Sequence, residues 1–443
     1  MSRGTLLFAL LFTPFYALGC DTAIGDRSDV GPSDAPGRDA PGLDAEGLDA
    51  PGMDAAGLDA PGMDAAGLDA PGLDAPAILD DAGTPPDLDA FVPVTDSGTS
   101  PPPPFEVVFS RRPDTNARDT TIEDRLIQLI DAALPGSRIR VAMYTFTRTG
   151  PADALIRASA RGVDVRIVLD GDADGLGSEV GTLRTGLGAA NVHLCDAPGS
   201  ACVGSGIMHH KTFLFSALSD GSTNVVVQAS HNLTTNQLSM HNNAVIIRGD
   251  AALFAGYEAT WNDLFRDVEI PDYYRTIDGD LATRVYFFPR STGGDTSVSI
   301  LNNITCDATS RIRVAMAFFT DARSEVADAL AARAREGCDV RVVAGDAEIP
   351  LGGTVASRLT AAGVQLTRYP DRSGWGLHSK YFLIDAPYAG SVGHRRLVFT
   401  GSHNWTGPAL TINDETQLRI EDDVVFAGFL SDWDHVRASA VRP

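Results

Sequence analysis

The chain repeats itself, and the repeat restricts the fold more than any other feature. Ser137-Arg-Ile-Arg-Val-Ala-Met143 recurs as Ser310-Arg-Ile-Arg-Val-Ala-Met316, and both runs lead into Phe-Thr, at Phe146-Thr147 and Phe319-Thr320. Each run is rich in β-branched and apolar residues, which suits a strand in a mostly buried sheet. An alanine-rich helix is predicted over 152–161 and again over 324–336, then a second strand at Val163–Leu169 and at Cys338–Val343. A variable loop with a further helix comes next. Two more strands close each half, at 212–215 with one ending near Ala229, and at 381–384 with one ending near Gly401. The order β-α-β-α-β-β in each half predicts an α/β protein: two similar α/β/α sandwich lobes with mixed sheets, related by a pseudo-two-fold axis. The lobes are expected to span 105–276 and 277–443.

The residues that carry chemistry stand at matching places in the two halves. The chain has thirty-three arginines and only two lysines, and Lys211 and Lys380 each follow a histidine by two positions, in His209-His210-Lys211 and His378-Ser379-Lys380. A chain that otherwise uses arginine keeps a compact ammonium on a flexible stem at two equivalent positions, where a rigid guanidinium fork should fail. Residues i and i+2 of a strand share a face. His209 should therefore project with Lys211 and His378 with Lys380, while His210 and Ser379 point away. A Ser-x-Asn follows at the end of the next strand, at Ser230 and Asn232 and at Ser402 and Asn404. If the two strands are neighbours, an amide joins each imidazole and ammonium, and such donors stabilise charge on a phosphoryl group. One histidine cannot be attacking group and proton-donating acid at once, so two copies make chemical sense.

With Asp385 five residues after Lys380, the second copy reads His-x-Lys-x4-Asp followed by Gly-Ser-x-Asn. These duplicated motifs resemble the signature of the phospholipase D superfamily, and the resemblance extends over 105–443. It implies two halves meeting face to face around one shared active site. One histidine would attack phosphorus to form a covalent phosphohistidine and the other would protonate the leaving group. Water or an alcohol would then release the intermediate, with no metal or other cofactor. On this reading His209 is the nucleophile and His378 the general acid. Lys211, Lys380, Asn232 and Asn404 bind phosphate, and Ser230, Ser402 and Asp385 support them. The first copy departs from the pattern, with Ser216 in place of the aspartate and Ala229 in place of the glycine. The family often places a glutamate thirteen residues after the motif serine; Glu415 fits, and Asn243 occupies that position in the first half. If each serves its own half, Glu415 orients His378 and favours an imidazolium suited to a general acid. Asn243 then leaves a neutral His209 to attack.

The resemblance implies phosphodiester chemistry. The expected substrate is a phospholipid, hydrolysed to phosphatidic acid and a head-group alcohol, because the membrane tether expected at the N-terminus would keep the enzyme near it. A monomer is expected. The alternatives are a metal-independent endonuclease acting on DNA and a phosphatidyl transferase. From another class comes a catalytically inactive surface or binding protein, favoured by Ser216 and Asn243 and opposed by the intact His, Lys and Asn sets.

The net charge of −23 is unevenly spread. Residues 21–104 hold eighteen acids against two arginines, and 105–443 is only mildly acidic, without an evident nucleic-acid footprint. Within 37–76 run eight pentads of the type Gly57-Leu58-Asp59-Ala60-Pro61. So little apolar surface cannot offset the entropy of ordering, and an extended, disordered linker is predicted over 21–104. Before it, Arg3, the apolar run from Leu6 to Leu18 and Ala17-Leu18-Gly19-Cys20 resemble a bacterial lipoprotein signal. That implies export, lipidation of Cys20 and a membrane-anchored protein facing the periplasm or cell surface. The four remaining cysteines are disulfide candidates, with Cys195 and Cys202 flanking a short loop and Cys306 and Cys338 at neighbouring strands.

Weaker signals have plain explanations. Asp170, Asp172 and Asp174 open like a calcium loop that lacks its closing glutamate, so a strand-end turn is expected. His210, His231, His241 and His403 read as filler beside the motifs. Trp375 and Trp405 suit the core as well as a substrate entrance.

Overall fold

The computed structural model describes residues 101–111, 118–173, 178–346, 349–370 and 376–440. The signal-like segment, Cys20, the pentad repeat, Asp174 and Trp375 lie outside them. No helix among the described residues is long and apolar enough to cross a membrane.

The first sheet contains β1 (Phe105–Ser110), β2 (Arg138–Met143), β3 (Asp164–Leu169), β4 (Val192–Leu194), β5 (Lys211–Ala217), β6 (Thr223–Ala229) and β7 (Asn242–Ile247), in the order β1-β7-β6-β5-β2-β3-β4. The second contains β8 (Arg275–Asp278), β9 (Thr283–Phe288), β10 (Arg311–Met316), β11 (Asp339–Asp346), β12 (Gln365–Pro370), β13 (Lys380–Pro387), β14 (His394–Gly401) and β15 (Glu415–Glu421). Its order is β12-β11-β10-β13-β14-β15-β9-β8. Read from β9, the second sheet reproduces the first, and β8 is an addition at its edge. The expected boundary between 276 and 277 falls inside β8, because that strand pairs with β9 from Arg275 onward.

The repeated sequence forms β2 and β10. Each runs parallel to the next strand, β3 or β11, and antiparallel to the strand that begins at the motif lysine, β5 or β13. Both are buried on two faces after their first residue, and the second arginine of each, Arg140 or Arg313, is buried with them.

Helices cover the outer faces. α1 (Thr121–Asp131), α2 (Thr149–Ala160) and α3 (Val180–Leu187) lay Ile122, Leu126, Leu155 and Leu183 on the first sheet. α5 (Thr296–Asn302), α6 (Ser324–Arg335) and α7 (Gly353–Ala361) do the same on the second through Leu301, Leu330 and Leu359. The alanines of α2 and α6 allow close approach to the strands. A short α8 (Gly407–Thr411) precedes β15. α4 (Ala251–Arg266) and α9 (Asp423–Ala440) belong to a single apolar cluster that takes residues from both sheets. One core therefore joins the lobes.

These two inner helices are fixed in the same way. Trp261 Nε1 donates to the carbonyl of Val141 and Trp433 Nε1 to that of Val314, each at 2.8 Å. Arg140 lies 5.2 Å over the Trp261 ring and Arg313 5.3 Å over the Trp433 ring. Those arginines pair with Asp164 and Asp339. The duplicated Arg-Val of β2 and β10, Arg140-Val141 and Arg313-Val314, therefore supplies both a strand and the seat of an inner helix. Disulfides join Cys195 to Cys202 and Cys306 to Cys338.

Candidate active site

The two His-x-Lys segments enter β5 and β13 by pairing with the opposite lobe. Met208 bridges Asp414, and Leu377 bridges His241. The backbone N–H of His209 donates to the carbonyl of Asp414 at 2.9 Å, and that of His378 to the carbonyl of His241 at 3.0 Å. Each motif therefore lies against the start of the other lobe's last strand, and the orienting residues cross over.

Glu415 serves His209, not His378: both of its carboxylate oxygens are 2.9 Å from His209 Nδ1. His378 Nδ1 instead lies 2.9 Å from Asn242 Oδ1. The expectation that each half supplies its own orienter is corrected, and so is the choice of Asn243. The route from Ser230 to β7 is one residue shorter than that from Ser402 to β15, so Asn242 is the counterpart of Glu415. Asn243 points elsewhere, donating from Nδ2 to Thr400 Oγ1 at 2.7 Å. The motif serines hold the orienters. Ser402 Oγ donates to Glu415 at 2.5 Å, and Ser230 Oγ to Asn242 Oδ1 at 3.1 Å.

The lysines are buried, Lys211 with no exposed surface and Lys380 with 2%. Lys211 Nζ donates to the carbonyl of His209 at 2.9 Å and Lys380 Nζ to that of His378 at 2.6 Å. The last residue of each repeated strand, Met143 or Met316, stands directly opposite the lysine. Asn232 and Asn404 follow β6 and β14, the strands beside β5 and β13, and both are buried. The two polar atoms of the Asn232 side chain take no partner among the described residues, as suits a group that meets a ligand. Tyr144 was not legible in advance. Its ring meets His209 edge-on at 5.2 Å and lies 5.2 Å below Lys211 Nζ, yet Ala317 occupies its place in the second repeat.

Two expected supporting residues lie outside the site. Asp385 bonds to His394 at 2.8 Å, and His394 also reaches Asp307. Those two carboxylates raise the histidine's pKa. Ser216 stands at the matching end of β5 and accepts the backbone N–H of Arg138 at 2.9 Å. A separation of five residues puts Asp385 on the opposite face of β13 from Lys380, about 16 Å along the strand. We therefore expect Asp385→Asn to leave turnover within about threefold of wild type and to shift the melting temperature by a few degrees at most. Parallel kinetics and thermal melts check this.

The other histidines pack. His210 stacks on Phe287, and burial, aided by Lys211, pushes its pKa down to about 3. His403 stacks on Phe288 and is likewise held neutral by burial. His241 meets the Tyr369 hydroxyl at 3.0 Å. Trp405 is a core residue bonded to Ser297. Asp170 turns inward, where burial raises its pKa to about 7 and it accepts from Ser200 Oγ and the N–H of Met208. The one metal-capable grouping among the described residues, Cys195, Cys202 and Asp267, has both sulfurs joined in a disulfide.

Two α/β lobes of one topology, each setting a His-x-Lys pair against the other's orienting residue, define the phospholipase D class of phosphodiester enzymes. The chain belongs to the family described as "Cardiolipin synthase, PLD-like domain", which matches residues 126–264 and again 301–436, more than half of its length. It is similar to a mitochondrial cardiolipin hydrolase of Chlamydomonas reinhardtii, 25% identical over 26% of this chain and 47% of that one. It is also similar to a mitochondrial cardiolipin hydrolase of Homo sapiens, 31% identical over 23% of this chain and 36% of that one. The chain thus spans less than half the length of these curated relatives. Among solved structures, phosphatidylserine synthase of Haemophilus influenzae matches with a TM-score of 0.53 at 12% identity, over 75% of this chain and 86% of that one. That likeness is one of fold.

Proposed function

We propose that this chain hydrolyses phospholipid phosphodiester bonds, with His209 as nucleophile and His378 as general acid. The observation that carries the reading is the contact of Glu415 with His209 Nδ1 across the lobe boundary. A carboxylate there keeps the proton on Nδ1 and leaves the Nε2 lone pair to attack. As Nε2 bonds to phosphorus, positive charge develops on the ring and Glu415 stabilises it, a larger benefit to an attacking histidine than to a donor that becomes neutral. Lys211, Lys380, Asn232 and Asn404 supply donors for the phosphoryl oxygens. His378, its Nδ1–H donated to Asn242, passes the Nε2 proton to the departing alkoxide. It then takes a proton from the water that attacks phosphorus, and the P–N bond to His209 breaks. Each histidine ends as it began.

A lipid substrate is favoured by the relatives named cardiolipin hydrolase and by the acidic balance of 105–443, which offers little for a DNA backbone. The full chain, assayed in EDTA, is expected to release phosphatidic acid from cardiolipin or other phospholipid vesicles and to leave plasmid DNA intact, with His209→Ala inactive. Cleavage of DNA alone would sink the lipid reading. Binding without turnover of either substrate would favour an inactive binding protein.

A further inference from the structure

The start of the strand that carries Glu415 is fastened to a loop of the other lobe. Residue 414 precedes the orienter, and its buried carboxylate is received by the loop behind the Cys195–Cys202 disulfide. Asp414 Oδ2 accepts the backbone N–H of Cys202 at 2.8 Å and of Val203 at 3.2 Å, and Oδ1 accepts that of Gly204 at 2.6 Å. The neighbouring N–H groups of Ser205 and Gly206 donate to the carbonyl of Ile412, both at 3.0 Å, and Ile207 donates to Asn413 Oδ1. Two glycines are needed for the approach. A Cβ on Gly204 would lie 2.0 Å from the Ile412 oxygen, and one on Gly206 2.2 Å from Asn413 Oδ1. Asp170 holds the loop from behind through Ser200 and Met208. In the first lobe the place of Asp414 belongs to His241, whose ring meets the Tyr369 hydroxyl.

The consequence lies one residue away. Successive residues of a strand point to opposite faces, so the side that receives Asp414 dictates the side on which Glu415 emerges. The segment that seats Asp414 runs directly into Met208 and His209. Loop, carboxylate and nucleophile are therefore one mechanical unit, closed by a disulfide.

We infer that Asp414, held by the backbone amides of Cys202, Val203 and Gly204 directly behind the disulfide, is a positioning residue that sets Glu415 against His209. This rests on the reading of His209 as nucleophile. The test uses the full chain and bis(4-nitrophenyl) phosphate. Asp414→Asn keeps the shape but brings an NH2 group against three converging donors. It is expected to lower kcat about 30–100-fold, with KM within about threefold, because a displacement near 1 Å at reacting groups costs about that much. The Cys195→Ser/Cys202→Ser double variant should lower kcat in the same sense. In a Glu415→Gln background, Asp414→Asn should cost less than about threefold more, since a residue acting through Glu415 has nothing left to act upon. Independently of turnover, the ring 15N signals of His209 should lose their fixed Nδ1–H pattern in Asp414→Asn. Normal kcat in that variant, full additivity with Glu415→Gln, or a loss that follows the melting temperature would overturn the proposal. If wild type turns over no phosphodiester, the phosphodiesterase reading fails, and the His209 spectrum still decides the positioning role.

Discussion

His209→Ala is expected to lower turnover by about 10⁴-fold or more and to form no phosphorylated enzyme, because no other group can take over the covalent step. His378→Ala should behave differently, and the difference identifies the roles. With bis(4-nitrophenyl) phosphate the departing phenolate needs no proton, so the first product should still appear as a rapid burst. Breakdown should then stall, since the group that would deprotonate water is missing. Rapid-quench kinetics and 31P NMR should therefore find a phosphohistidine accumulating in His378→Ala and absent from His209→Ala. The reverse pattern would make His378 the nucleophile and give Glu415 to the acid after all.

Lys211→Arg and Lys380→Arg are conservative in charge and are each expected to cost about 10²–10³-fold in kcat/KM with the melting temperature nearly unchanged. The reason is space. Both lysines are buried, and each Nζ folds back to the carbonyl of the histidine two residues earlier. Lys211 is further confined by the Tyr144 ring. A planar guanidinium is longer and wider than an ammonium and cannot make that return while facing a phosphoryl oxygen. Near-normal kinetics in either variant would show that the scarcity of lysine has no catalytic cause.

Features governed by local geometry could be read directly. The period of two in an extended segment predicts His209 beside Lys211, and the Tyr144 ring meets both, while His210 stacks on Phe287. The same rule applied to Asp385 would have removed it from the site, but membership of a motif outweighed the odd spacing. Weakly patterned elements escaped: β4 has three residues, and β7 opens with two asparagines, so neither shows a clear apolar period. β1 and β9 became meaningful only as partners of β7 and β15.

By itself, the sequence determined that the chain is duplicated, that each half is α/β, and that each half presents one imidazole and one ammonium together. These follow from repetition and from backbone periodicity, which act over a few residues. Only the tertiary structure decided which acid serves which histidine. Glu415 and His209 are 206 positions apart, and their contact depends on how two sheets pack around α4 and α9. A loop one residue shorter was enough to pass the orienting role from Asn243 to Asn242. Local spacing predicts which side chains share a face; the packing of one lobe on the other decides what that face meets.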